Sequence, residues 1–215
     1  MPKDHKTLIE NLVNELTPVK PQQLPMTRAL IWYPIFFVVI ASVAYLVQEY
    51  RTGFISQIAE SPRFQIELVS AIAISCVGIY ISFVQFVPGE KVHTVSKLIF
   101  YISITLFLAS IIWSFFDATP HASDEGVRSF CETEVVVYGL ITLYIFLFLN
   151  RKGLLNISSS KRMQFGLSIA LIPALIMQVA CMYDPAHALM FHFSPVLIVA
   201  FIGIRLSDIF VNRSE

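Results

Sequence analysis

The 215-residue sequence predicts an all-α fold: an integral membrane bundle of six transmembrane helices, with both termini cytoplasmic and a short amphipathic helix at the N-terminus. Three observations predict it. The chain is 56% hydrophobic with a mean hydropathy of +0.69 and only 14% charged residues, where a soluble domain has about 25%. Six apolar stretches each approach or exceed the ~20 helical residues that a hydrocarbon core of ~30 Å requires. Lys and Arg alternate by loop, twelve on one side and three on the other, and the richer side is cytoplasmic. In lipid only helices and closed barrels satisfy the backbone, and these runs are too long and continuous for barrel strands.

Residues 1–28 form the cytoplasmic N-terminal segment. Leu8, Ile9, Leu12, Val13 and Leu16 fall on one face of a helix that Thr17-Pro18 ends, and Lys6, Glu10, Asn11, Asn14 and Glu15 fall elsewhere. A helix of about three turns is marginal alone in water, so this face calls for a partner surface. Pro18, Pro21 and Pro25 make the following linker extended and semi-rigid. The first 28 residues contain no signal-peptide core.

The six spans cover residues 29–47, 64–87, 95–116, 133–149, 163–182 and 188–206, so residues 29–206 are the membrane domain and 207–215 a cytoplasmic tail. The poorer side carries only Arg51, Arg63 and Arg128, which makes the first, third and fifth loops external. Pro34, Pro173 and Pro195 kink or loosen their helices, as prolines in membrane bundles do. Gln65, Glu67 and Gln178 fall near the external ends and need partners or water.

Three cysteines, with neither CxxC nor zinc-type spacing, exclude a disulfide scaffold. Cys76 lies mid-span and reads as a small buried apolar residue. Cys131 and Cys181 fall at the external ends of the fourth and fifth spans, which a short loop makes antiparallel neighbours. Packed helix axes are ~8–10 Å apart and a disulfide needs Cα atoms within ~4.4–6.8 Å, so cysteines at matching depth can meet. Three readings stay open here: a redox- or metal-responsive pair, a plain disulfide, and coincidence. Asp184, His187, His192, Glu132, Glu134 and His121 fall at the same face. Thiolate plus imidazole suits soft or borderline metals, although no spacing matches a metal motif. His192 reads equally as a hydrogen-bonding histidine of the bundle. There is no Gly-rich phosphate loop, no HExxH and no nucleophile–His–acid set, so no catalytic residues are assigned and an enzyme is not expected. Zero net charge points away from nucleic acid as a direct partner.

The ordered set of features resembles the NrsF-type membrane anti-sigma factors of proteobacteria over nearly the full chain. LIENLVNELTPVKP leads into Arg28-Ala29-Leu30-Ile31-Trp32. Cys131 precedes a long apolar helix ending in Asn150-Arg151-Lys152-Gly153. Cys181 is followed by Asp184, a turn, Ala188-Leu189, and His192 with Pro195 opening the last helix. The resemblance implies a protein that holds an extracytoplasmic-function sigma factor at the bacterial inner membrane and releases it when Cys131 and Cys181 sense oxidant or thiophilic metal. It implies sigma-factor capture through Leu8, Ile9, Leu12, Val13 and Leu16. No cofactor is expected beyond a transient metal at the cysteine pair. A thiol/quinone-linked membrane redox protein would share the external cysteines but needs a closer-spaced reactive pair. A small transporter or metal exporter needs polar groups near the midplane, where this chain has few.

Overall fold

The structure, a computed structural model, describes residues 24–87, 89–116, 128–150, 158–182 and 184–212. The predicted amphipathic helix with Leu8, Ile9, Leu12, Val13 and Leu16, and also His121, lie outside the described residues. Among those described there is no strand, and six helices are long and apolar enough to cross a membrane.

The chain starts with α1 (Pro25–Val47), whose proline at the first position sets the helical φ where no intrahelical donor is needed. A short helix, α2 (Phe54–Glu60), interrupts the first loop. It was not apparent in the sequence, because seven residues carry too little periodicity. Gly53 precedes it at φ 78°, a left-handed turn open to glycine. α3 (Pro62–Gln85) follows at once, capped by Ser61, whose Oγ accepts the Phe64 N–H at 3.3 Å. α4 (Thr94–Ser114), α5 (Cys131–Asn150) and α6 (Ser159–Ala180) complete five spans. The sixth is composite. A single turn, Pro185–His187, leads into a π-helical segment, Ala188–Phe193, and then α7 (Ser194–Asn212).

α6 is the central helix, packed against α1, α3, α5 and α7. Ile169, Ala170, Ile172, Ala174, Met177 and Ala180 along it are fully buried. α1 and α4 are peripheral and present Leu30, Val38, Val39, Leu98, Tyr101 and Ile112 outward, as lipid-facing helices do. Small residues let the backbones close. A Cβ on Gly78 of α3 would lie 1.9 Å from Ser168 Oγ of α6, and one on Gly166 would lie 3.0 Å from Ala200 Cα of α7. Where apolar burial cannot distinguish protein from lipid, this close packing and interhelical hydrogen bonds drive association. Ser75 Oγ supplies one such bond, donating to Ser168 O at 2.6 Å.

The two ends of the bundle differ. One end holds an aromatic cluster, with Phe146 5.1 Å from Trp32, 5.2 Å from Phe83 and 5.9 Å from Phe165 between ring centroids, and an Arg162–Asp208 ion pair. The chain enters α1 and leaves α7 at this end. The other end gathers the start of α5, the end of α6 and the start of the sixth span, and with them all three arginines of the cation-poor side. Arg128 donates to Ala44 O at 2.8 Å and Gln48 O at 3.0 Å, capping α1. Arg51 donates from Nε to Val179 O at 3.3 Å, and its backbone N–H meets Ala180 O at 3.1 Å, capping α6. Positive groups on the last carbonyls satisfy orphan acceptors and complement the helix dipole. These arginines are 6% or less exposed, so their charge serves the fold rather than the surface.

Candidate functional site

The fourth and fifth spans bring Cys131 and Cys181 together. Cys131 is the first residue of α5 and Cys181 the first beyond α6, and both are fully buried. Their Sγ atoms are 2.7 Å apart, with both thiols free. That is longer than a disulfide bond of about 2.05 Å but well inside the ordinary separation of two unbonded sulfurs, so the pair sits close to bonding distance. Cys131 Sγ also lies 3.3 Å from the Arg128 carbonyl oxygen. The hydrogen bond from the Cys131 thiol lowers the Cys181 pKa against the opposing effect of burial. Of the two, Cys181 is therefore the one that ionises first.

Both histidines join the pair. His187 Nε2 is 3.3 Å from Cys181 Sγ. His192 is fully buried, with its ring perpendicular to that of His187 at a centroid distance of 5.1 Å. The four donor atoms of Cys131, Cys181, His187 and His192 all lie within 4.8 Å of one another. Two sulfurs and two imidazole nitrogens are the donor types found in zinc S2N2 sites, although their sequence spacing matches no zinc motif.

The tautomer of His192 follows from a chain of forced choices. The Glu67 carboxylate of α3 accepts from Gln178 Nε2 of α6. This orients the amide so that its Oε1 faces His192 Nδ1 at 2.9 Å. Because Oε1 only accepts, Nδ1 carries the proton and Nε2 carries a lone pair. Nε2 is buried, has no hydrogen-bond partner among the described residues, and belongs to the cluster. Arg63 lies 3.9 Å from Glu67 and balances its charge. The polar residues Glu67 and Gln178 thus find their partners in each other and in the site.

The other predicted residues have different roles. Asp184 sits behind the cluster: its Oδ1 accepts the His187 N–H at 2.7 Å and caps the turn that carries that histidine. Glu132 is exposed beside the cluster. The acid that reaches this end is Glu134, which pairs with Arg128 at 3.2 Å. Cys76 is half-buried on α3, in a groove with Tyr33 and Tyr80, rather than fully buried.

The π-helical segment aims His192. Its last closure runs from the Ser194 N–H to Leu189 O, one residue wider than an α turn. Pro195 follows and has no N–H to give the carbonyl that an α turn would pair with it, so the wider register costs little there. The HxxP spacing was visible in the sequence. Its meaning was not, because π turns have no periodicity of their own over six residues.

A family model described as negative regulator of sigma F matches residues 12–212. The chain belongs to this NrsF family. The match covers nearly the whole sequence, including all four cluster residues. No curated protein and no solved structure matches the chain. An NrsF-family chain is a negative regulator of a sigma factor, a regulatory protein rather than an enzyme.

Proposed function

We propose that this protein is an anti-sigma factor of the bacterial inner membrane that sequesters an extracytoplasmic-function sigma factor. It releases that factor when Cys131 and Cys181, on the periplasmic side, react with oxidant or thiophilic metal. Family membership supports the sigma partner. The distribution of Lys and Arg supports both termini inside and the cysteine end outside.

One observation carries the sensing role. Two fully buried sulfurs, 2.7 Å apart, join the start of α5 to the end of the central helix α6. Oxidation needs no large rearrangement there: an Sγ–Sγ bond forms, and two electrons and the thiol protons leave to the oxidant. Either modification acts on the helix that contacts most of the bundle. A signal of this kind shifts a two-state equilibrium only through its differential free energy for the two packings. The predicted amphipathic helix, with Leu8, Ile9, Leu12, Val13 and Leu16, is the sigma-binding surface on the other side.

A pull-down from solubilised membranes tests this, with the protein tagged at its C-terminus and treated or untreated with oxidant. A sigma factor captured from resting cells and lost on treatment is the expected result. No sigma factor under any condition would overturn the reading.

A further inference from the structure

We propose that Cys131, Cys181, His187 and His192 bind a single zinc-class divalent cation, and that metal occupancy and a Cys131–Cys181 disulfide are mutually exclusive states. Resting on the sensing role above, this assignment names the ligand of that site and extends the pair to a four-residue centre.

The donor chemistry selects the ion. Two sulfurs and two imidazole nitrogens suit soft and borderline cations, whereas calcium and magnesium require oxygen. The nearby oxygens are committed elsewhere: Asp184 caps the His187 turn, and Glu134 is paired with Arg128. Two thiolates neutralise a dication, so the loaded centre is uncharged. A buried site tolerates that far better than an unpaired charge.

The geometry is largely in place. Zn–S bonds of about 2.3 Å and Zn–N bonds of about 2.0–2.1 Å give tetrahedral edges of roughly 3.3–3.8 Å. The Cys181–His187 edge is already 3.3 Å, and the whole donor set fits within 4.8 Å. His192 presents an unpartnered Nε2 whose lone pair is fixed by Gln178 and, behind it, Glu67. An outer shell of this kind is what orients metal-bound histidines. His187 is partly exposed and borders the surface, which provides access.

Exclusivity follows from the sulfurs. Their 2.7 Å separation must open by about 1 Å to bind a tetrahedral ion, and must shorten to about 2.05 Å to form a disulfide. Metal binding releases the remaining thiol protons and leaves two metal-held thiolates. Disulfide formation removes two electrons from the same sulfurs. A diazenedicarboxamide oxidant such as diamide takes up those electrons and two protons to become the hydrazine. The two products cannot coexist on the same sulfurs: a disulfide offers no thiolate to the ion, and oxidation of the loaded pair must first release it.

The test uses the full chain in detergent, reduced and metal-free. Cobalt(II) is added, then displaced by zinc. One cobalt per chain is expected, with the intense visible bands of a tetrahedral ion and sulfur charge-transfer bands. Gln178→Leu should weaken binding about 10–100-fold, as loss of an outer-shell partner does. His187→Gln and His192→Gln should weaken it further. In the unmodified chain, saturating zinc should block disulfide formation by diamide. Weak octahedral bands, histidine variants that bind like the parent, or a disulfide that forms equally fast with zinc present would each overturn the assignment. The zinc-protection arm needs no variant to fold. Sigma-factor capture, measured in parallel, separates the two ideas. Capture without metal binding overturns only the metal centre, and metal binding without capture overturns only the sigma reading.

Discussion

At the scale of single residues, the site depends on which atom holds which proton. The Cys131 hydrogen bond depresses the Cys181 pKa, so the thiolate persists at pH values where an ordinary cysteine, near pKa ~8.5, is protonated. The sign is clear: a depressed folded-state pKa stabilises the fold above the unfolded pKa, and that stability is lost as pH falls through the folded value. Thiolate ultraviolet absorbance of the reduced protein should already be present at neutral pH. In Cys131→Ser it should rise mainly through the ordinary thiol range. Identical titrations would overturn the assignment of the thiolate to the influence of Cys131. Arg128 is the second sensitive residue. Its guanidinium reaches the Ala44 and Gln48 carbonyls and the Glu134 carboxylate. Arg128→Ala should cost roughly 3–5 kcal/mol by leaving Glu134 without its buried partner, seen as a lowered Tm in detergent. Arg128→Lys should recover only part, because an ammonium lacks the planar fork that serves three acceptors.

At the scale of elements, two contacts set the register of the bundle. The first is the crossing of α3 and α6 at Gly78 and Ser168. Adding a methyl there puts a Cβ 1.9 Å from Ser168 Oγ and 2.8 Å from Ser168 Cβ. Gly78→Ala should therefore destabilise the fold by about 1–3 kcal/mol, and Ser168→Gly in the same chain should restore part of the loss. Additive effects in this double variant would argue against direct contact. The second is the π-helical segment. Pro195→Ala supplies the missing N–H and favours a plain α register. One residue of register turns a side chain by about 100°, which would swing His192 away from Gln178. The expected result is weaker cobalt binding with helix content unchanged by circular dichroism. Unchanged cobalt affinity would mean that Pro195 does not hold the segment.

At the scale of the whole molecule, α6 links the cysteine end to the rest of the bundle. Its end meets Arg51, Glu67 and the thiols, and its length packs against α1, α3, α5 and α7. A change at Cys181 thus acts on a central element rather than a peripheral loop. The double variant Cys131→Ser, Cys181→Ser should still capture the sigma factor but fail to release it under oxidant. Removing residues 1–20 should abolish capture itself. Normal release in the first, or normal capture in the second, would separate the thiols or the amphipathic helix from the function proposed for them.

Hydropathy and charge, which are local properties summed along the chain, determined six spans, their order and their limits to within a few residues. They also put Cys131 and Cys181 at the ends of neighbouring spans, because helix ends can be located from the apolar run alone. Depth along a helix is set by counting residues, but orientation around it is not, since each residue turns the side chain by about 100°. Only the tertiary structure therefore decided that the sulfurs face each other, that both histidines join them, and that Asp184 caps a turn instead. It also assigned the three arginines of the cysteine end to buried roles and oriented His192 through Gln178 and Glu67, residues on other helices. The Arg128–Gln48, Gln178–Glu67 and Arg51–Val179 contacts join positions 80, 111 and 128 residues apart, so they exist only once the helices have packed.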